Sequence, residues 1–127
     1  MSTREQISTT AAPAAAGPYS QAIRAGDLVF TAGQLGIDPT TGELSAEDAP
    51  GQAERALANL AAILEAAGSG LDRIVKTTVF LASLDDFQDM NEVYAGRIGE
   101  TPPARSTIEV GALPSGALVE IEAIALA

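Results

Sequence analysis

Residues Ile74–Leu81 have the sequence IVKTTVFL, a run rich in β-branched side chains. Such residues are enriched in strands because branched side chains fit the pleated, half-buried surface of a sheet. The run therefore predicts a central strand, and the rest of the fold can be worked out from it in both directions.

A helix is predicted before this strand, from Pro50 to Ala67. Apolar residues recur there at intervals of three and four, which places them in one stripe along a helix. Pro50 suits the first turn of a helix, and Gly68 suits the position just after its end.

A second helix is predicted after the strand. Asp85 and Asp86 form an N-cap pair, and Phe87 and Met90 begin a series at helical spacing. The sequence Thr101-Pro102-Pro103 is expected to end this helix. The two acids could also indicate a metal site, but a helix cap explains them more simply.

The outer strands complete the predicted topology. Residues 23–32 contain the turn-forming pair Gly26-Asp27 and predict a hairpin of two short strands. Residues 104–110 and 117–126 predict two further strands, which we expect to pair as a hairpin. Residues 1–10 are polar and are expected to be loose.

The predicted order is therefore β-β-α-β-α-β-β, which indicates one α+β domain spanning residues 1–127. Both helices can cover one face of a single mixed sheet. The other face would then expose aliphatic side chains, which a monomer rarely does, so we expect an oligomer.

Composition excludes several function classes. The chain holds no Cys and no His, which removes thiolate nucleophiles, Ser-His-Asp triads and zinc sites built on imidazole or sulfur. Its net charge of −10, with no Lys/Arg cluster, argues against nucleic acid or an anionic membrane as a partner. No metal is expected, because no dense acidic loop could bind one through oxygens.

The N-terminal stretch has the pattern of neither a signal peptide nor a membrane span, which predicts a cytoplasmic protein.

Charged side chains in the last two predicted strands are the candidates for chemistry. Alternation puts Arg105 and Thr107 on one side of their strand, and Glu120 and Glu122 on one side of theirs. A carboxylate among aliphatic neighbours is costly to bury alone, so Arg105 on the neighbouring strand is the expected partner of Glu120. A structural ion pair explains these two residues as well as a site does. In a site, Arg105 would grip a carboxylate ligand and Glu120 would act as acid or base, whereas Glu122 is expected to be structural.

Six segments, taken together, are typical of one protein family. In chain order they are Gly17-Pro18-Tyr19-Ser20-Gln21-Ala22, Thr31-Ala32-Gly33-Gln34-Leu35, IVKTTVF at 74–80, Asp86-Phe87 with Asn91 and Tyr94, Pro103-Ala104-Arg105-Ser106-Thr107, and VEIEAIA at 119–125. Over nearly the whole chain from Pro13 onward, they resemble the RidA/YjgF family of reactive-imine deaminases, formerly called the L-PSP endoribonuclease family.

The resemblance implies a chorismate-mutase-like fold, assembled as a homotrimer with three ligand sites in clefts between subunits. It also implies a reaction, in which 2-enamine and 2-imino acids such as 2-aminoacrylate and 2-iminopropanoate are hydrolysed to 2-oxo acids and ammonia. Deaminases of this family use no cofactor. The implied partners are a small imino or enamino acid and other copies of this chain.

The resemblance also implies a role for each matched residue. Arg105 would hold the substrate carboxylate, and Glu120 would activate the attacking water or relay its proton. Many members have a small hydroxyl residue at the position of Ala32 and a Cys at that of Thr107. Five residues would bind the substrate by closing over it, contacting its imine or lining its pocket: Tyr19, Gly33, Ala32, Asn91 and Thr107.

Two rival functions stay open. A binding protein of the same fold could sense 2-oxo acids or other small carboxylates without turnover, and Arg105 alone would serve either role. The presence of Glu120 favours the enzyme. Endoribonuclease activity, a name sometimes attached to the family, is disfavoured by the acidic surface and the missing His.

Overall fold

The computed structural model describes residues 3–127. All of their strands belong to one mixed sheet, in the order β1-β2-β3-β7-β5-β6, with β4 beside β3 along the same edge of β7. Both helices pack on one face of this sheet, which confirms the predicted α+β fold. No helix within this range is long and apolar enough to cross a membrane. The elements are β1 Arg4–Ile7, β2 Ala22–Ala25, β3 Leu28–Thr31, β4 Gln34–Leu35, α1 Ala49–Ala66, β5 Ile74–Leu81, α2 Phe87–Ile98, β6 Ala104–Glu109 and β7 Val119–Leu126.

Helix α1 confirms the first predicted helix to within one residue at each end. Pro50 lies in its first turn, and the Asp48 side chain accepts a hydrogen bond of 3.0 Å from the Gly51 N–H. Gly68 follows the helix with a φ of +80°, a left-handed conformation that glycine adopts without strain. The apolar stripe packs on the sheet, and its largest fully buried members are Leu57, Leu60, Ile63 and Leu64.

Helix α2 begins and ends differently from the prediction. Asp86 occupies the N-cap position but makes no side-chain hydrogen bond there. The Ser83 hydroxyl instead accepts a bond of 3.1 Å from the Asp85 N–H and caps the short 3₁₀ turn that leads into α2. The helix ends at Ile98, before the predicted prolines, because Gly99 has a φ of +93° and turns the chain away.

The last two strands do not form the predicted hairpin. Strand β5 lies between them, parallel to β6 on one edge and antiparallel to β7 on the other. At the end of β5, the Val110 N–H donates to the Leu81 carbonyl (2.9 Å) and the Ala82 N–H donates to the Leu118 carbonyl (3.0 Å). A buried strand needs backbone partners on both edges, and this arrangement supplies them. Ile74–Leu81 is therefore central, as predicted, and the β6–β7 hairpin was wrong.

The N-terminal segment is partly ordered in the sheet, contrary to the expectation of a loose start. Residues Arg4–Ile7 form β1, which pairs antiparallel with β2 at the sheet edge. The Glu5 carboxylate bonds to the Arg24 guanidinium at 2.6 Å, and Ile7 is buried. An edge strand needs few buried side chains, so its polar sequence carried no strand pattern. Residues 1–2 lie outside the described range.

Candidate functional site

Glu120 lines a small pocket on the sheet face that the helices leave open. It pairs with Leu35 on one side and with Phe80 on the other, in the middle of the sheet. The pocket has a volume of about 210 Å³. Its lining includes Tyr19, Gln21, Gly33, Leu35, Ile37 and Ser115, so one carboxylate faces largely apolar and small neighbours.

Gly33 stands against the Glu120 side chain, at the break between β3 and β4. A Cβ at this position would lie 2.6 Å from Glu120 Oε2, which is far inside van der Waals contact. Sterics therefore explain the glycine in the motif at 31–35, because only a residue without a side chain leaves room for the Glu120 carboxylate. Ala32 lies next to it, and its N–H donates to the Gln21 carbonyl at 2.8 Å.

The electrostatic setting of Glu120 favours proton transfer. Burial raises the pKa of its carboxyl above the ordinary value, and the nearby carboxylate of Glu122 raises this pKa further. Both causes disfavour the charged form. A carboxyl whose pKa is closer to neutral pH can take up and release a proton more readily during a reaction. Within residues 3–127, no group of three or more His, Cys, Asp or Glu side chains is placed to hold a metal ion.

Arg105 lies in a second cleft, next to α2. Its guanidinium carbon is 4.8 Å from the centre of the Tyr94 ring and 5.6 Å from that of Phe87. The Tyr94 hydroxyl is in turn fixed by a buried hydrogen bond of 2.6 Å with the Thr77 hydroxyl. Aromatic rings hold a guanidinium without neutralising its charge. Arg105 therefore presents a positioned, unneutralised donor fork to an anion.

Arg105 and Glu120 lie on opposite faces of the sheet. Arg105 pairs with Thr77 of β5, whose side chain is buried on the helix side. Glu120 pairs with Phe80, three positions further along β5 and therefore on the other face. The expected partnership of Arg105 with Glu120 is wrong within one subunit, and neither residue forms an ion pair in the described part of the chain.

Two predicted pocket residues carry buried polar atoms without a partner. Asn91 Oδ1 and Thr107 Oγ1 are shielded from solvent and make no hydrogen bond within the described range. Asn91 lines the cleft of Arg105, and Thr107 lies two residues from Arg105 on the same face of β6. Buried polar atoms of this kind are rare and costly, so they indicate where a ligand or water is bound.

Comparisons with known proteins identify the family. The family model described as Endoribonuclease L-PSP matches residues 9–127. The chain belongs to the RidA/YjgF family. It is 58% identical over 120 residues to the RutC family protein y4sK of Sinorhizobium fredii, covering 94% of this chain and 95% of that protein. It is 48% identical over 123 residues to 2-iminobutanoate/2-iminopropanoate deaminase of Mus musculus, covering 97% and 91%. The crystal structure of RidA from the Antarctic bacterium Psychrobacter sp. PAMC 21119 matches with a TM-score of 0.94 at 47% identity, covering 97% and 99%.

In this RidA/YjgF protein, the predicted site residues form two groups rather than one. One group is Tyr19, Ala32, Gly33 and Glu120, and the other is Asn91, Arg105 and Thr107.

Two residues of the Glu120 pocket were not predicted from the sequence. The sequence marks Gln21 only as part of the motif at 17–22, yet Gln21 is buried and lines the pocket. Ser115 has a φ of +60°, unusual for a residue with a side chain, and the turn sequence Leu113-Pro114-Ser115-Gly116 was the available signal.

Proposed function

We propose that this RidA/YjgF protein is a deaminase that hydrolyses 2-enamine and 2-imino acids to 2-oxo acids and ammonia. The observation that carries the proposal is Glu120, a carboxyl with a raised pKa in a small pocket shaped by Gly33. Relatives at 44% to 48% identity that are named 2-iminobutanoate/2-iminopropanoate deaminase support the same reaction class.

The complete site would form between subunits of a homotrimer. Arg105 and Glu120 lie on opposite faces of one sheet, so a site that uses both needs a second copy of the chain. The open face also exposes large apolar side chains, namely Phe30, Ile108 and Leu126. Covering these side chains with another copy of the chain removes apolar surface from water. Such packing also brings the Glu120 pocket of one copy within reach of another copy's surface.

Arg105 would hold the substrate. Its guanidinium donates two parallel hydrogen bonds to a carboxylate, which fixes both the position and the plane of a 2-imino acid. The Tyr94 and Phe87 rings keep the guanidinium in place before the ligand arrives, so less entropy is lost on binding. The unpartnered Asn91 Oδ1 and Thr107 Oγ1 atoms can then satisfy donors of the ligand or of a bound water.

Glu120 would move the proton. An imine carbon is already electrophilic, so a water positioned beside it attacks while Glu120 accepts the water's proton. Glu120 passes this proton to the imine nitrogen, so the tetrahedral adduct carries a hydroxyl and an amine on one carbon. Glu120 then accepts the hydroxyl proton and gives it to the amine nitrogen, which leaves as ammonia as the C–N bond breaks and the C=O bond forms. Water is the only co-reactant, and the Glu120 carboxylate is regenerated.

A non-catalytic carboxylate-binding protein is the second candidate. The observation that favours it is the Arg105 cleft, which has a volume of about 520 Å³ and presents the guanidinium to an anion without Glu120. Such a protein would bind pyruvate and similar ligands but would not accelerate their formation from imines.

A coupled assay separates the two candidates. An amino-acid oxidase or a serine dehydratase generates imines in solution, and release of the 2-oxo acid is timed with and without the protein. The deaminase proposal expects faster release with wild type and release at the uncatalysed rate with Glu120→Gln. Equal rates with and without wild-type protein, together with measurable pyruvate binding, would favour the binding protein. Light scattering at micromolar concentration should give about three chain masses, and a stable monomer would contradict the shared site.

A further inference from the structure

One buried amide joins the segment before β2 to the rest of the fold. Gln21 is almost fully buried, with 4% of its surface exposed. Its Oε1 accepts a hydrogen bond of 2.7 Å from the Thr9 N–H. Its Nε2 donates to the carbonyls of Thr9 (3.1 Å), Ala12 (3.3 Å) and Pro13 (2.7 Å). This amide has two hydrogens, so the three carbonyls share them. All hydrogen bonds of the Gln21 side chain therefore go to residues 9–13.

We call residues 9–19 the flap. Its internal hydrogen bonds are local: the Ala11 N–H donates to the Thr9 hydroxyl (3.2 Å), the Ala16 N–H to the Tyr19 hydroxyl (3.2 Å), and the Tyr19 N–H to the Gly17 carbonyl (2.8 Å). Within residues 3–127, the hydrogen bonds that link the flap to the body of the protein all end on Gln21. Ala12 is buried in the hydrophobic core and gives the flap an apolar anchor. Gln21 therefore supplies the polar anchor of the flap.

The flap forms one wall of the Glu120 pocket. Pro13, Ala14, Ala16 and Tyr19 all line this pocket, and Tyr19 remains 53% exposed. The backbone carbonyl of Gln21 accepts a hydrogen bond from the Ala32 N–H. Ala32 precedes Gly33, the residue that stands against the Glu120 side chain. The Gln21 side chain therefore holds the flap wall of the pocket, and its backbone carbonyl holds the wall that contacts the Glu120 carboxylate.

We propose that Gln21 is a positioning residue. It holds the flap against the Glu120 pocket, in the position from which Tyr19 closes over a bound 2-oxo or 2-imino acid. This inference rests on the proposed function, since it assigns the flap to the same pocket. Gln21 touches no substrate in this scheme. Losing its hydrogen bonds leaves the flap to sample many positions, and a ligand must then order it on binding.

Gln21→Met tests the role, because methionine keeps a similar volume but cannot make these hydrogen bonds. The closed flap would contact the ligand equally in the ground state and in the transition state. In Gln21→Met, KM should therefore rise by about tenfold while kcat changes less. The pyruvate dissociation constant should rise by the same factor. Ile63→Val, in the core of α1 and away from the flap, is the control for lowered stability without a change in KM.

Tyrosine fluorescence gives an independent measure of the flap. The chain has two Tyr and no Trp, and Tyr94 is buried, so quenching by acrylamide reports mainly on Tyr19. Gln21→Met should increase this quenching without ligand, and pyruvate should protect Tyr19 at about tenfold higher concentration than in wild type. If Gln21→Met does not fold, Gln21→Asn keeps the amide but shortens its reach and should show the same changes.

The outcomes separate this inference from the proposed function. Equal KM and equal quenching in wild type and the folded Gln21 variants would overturn the positioning role and leave the deaminase proposal intact. A rise in KM that Ile63→Val reproduces would also overturn it, since lost stability would then be the cause. Failure of wild type to bind pyruvate and to hydrolyse imines would remove the proposed function, and this inference with it.

Discussion

Arg105 and Glu120 flank the same central strand, yet their side chains leave the sheet on opposite faces. Strand β5 separates them, and their pairing partners on it, Thr77 and Phe80, are an odd number of residues apart. An odd spacing on a strand means opposite faces, whatever the rotamers. Under the proposed function, one subunit would supply two half-sites, and each would be incomplete for a substrate that needs both a cation and a proton acceptor.

Mixed assemblies should restore activity that neither variant has alone. Arg105→Ala and Glu120→Gln are each expected to be inactive in imine hydrolysis. If one subunit supplies Arg105 and its neighbour supplies Glu120, random co-assembly in equal amounts leaves both residues intact at about a quarter of the sites. Refolded mixtures should then show about a quarter of wild-type activity. Separately refolded proteins mixed afterwards are the control, and a co-refolded mixture as inactive as its parts would contradict a site shared between subunits.

Replacing Arg105 by Lys should weaken carboxylate binding. Lysine keeps the charge but lacks the planar fork, and it stacks less well on Tyr94. The dissociation constant for pyruvate should therefore rise by about tenfold or more, as titration calorimetry would measure. Arg97→Lys is the matched control, because Arg97 is exposed on α2 and pairs with Glu54. Near-normal affinity in Arg105→Lys would mean that Arg105 is structural.

Glu120→Gln should slow turnover strongly without harming the fold. Glutamine keeps the size and the hydrogen-bonding reach but cannot accept the proton, so kcat should fall by about 10²–10⁴-fold while pyruvate still binds. Burial disfavours the charged carboxylate in the folded state, so its cost to stability is present above the raised pKa of Glu120 and absent below the unfolded value. The Tm of the variant should thus equal or exceed that of wild type at pH 7. A lower Tm with unchanged turnover would indicate a structural glutamate.

The pH profile should show the raised pKa directly. Proton acceptance requires the carboxylate, so kcat/KM should fall as the pH drops through the pKa of Glu120, at a higher pH than for an ordinary glutamate. Burial is the main cause of this shift, and the charge of Glu122 is the smaller one. Glu122→Gln should therefore move the acidic limb to lower pH without removing it. An acidic limb that does not move would exclude coupling between these two carboxyls.

Gly33→Ala should damage the site more than the fold. The added Cβ would lie 2.6 Å from Glu120 Oε2 and 2.7 Å from its carboxyl carbon, so the side chain must swing aside. Turnover should fall by about tenfold or more, as a displaced base loses its alignment. Gly96→Ala is the matched control, because a Cβ there meets nothing within 4 Å on α2 and should raise stability by about 0.5–1 kcal/mol. Full activity in Gly33→Ala would show that Glu120 tolerates displacement.

Local patterns in the sequence predicted several elements well. Helix α1 follows from its apolar stripe and its Pro50 and Gly68 signals, since these depend on neighbours within a few residues. The alternation along Val119–Leu126 likewise puts Glu120 and Glu122 on the face away from the core. By contrast, β1 carries no such pattern, because an edge strand is held by backbone pairing rather than by buried side chains.

The sequence by itself determined the family, the central strand and the identity of the candidate residues, because motifs and short-range periodicity are properties of the chain alone. Only the tertiary structure decided that β6 and β7 flank β5 instead of pairing with each other. That arrangement sets the relative register of strands far apart in sequence, and a shift of one residue exchanges the two faces of a strand. It therefore also decided that Arg105 faces α2, that Glu120 faces the open side, and that a site with both requires a second copy.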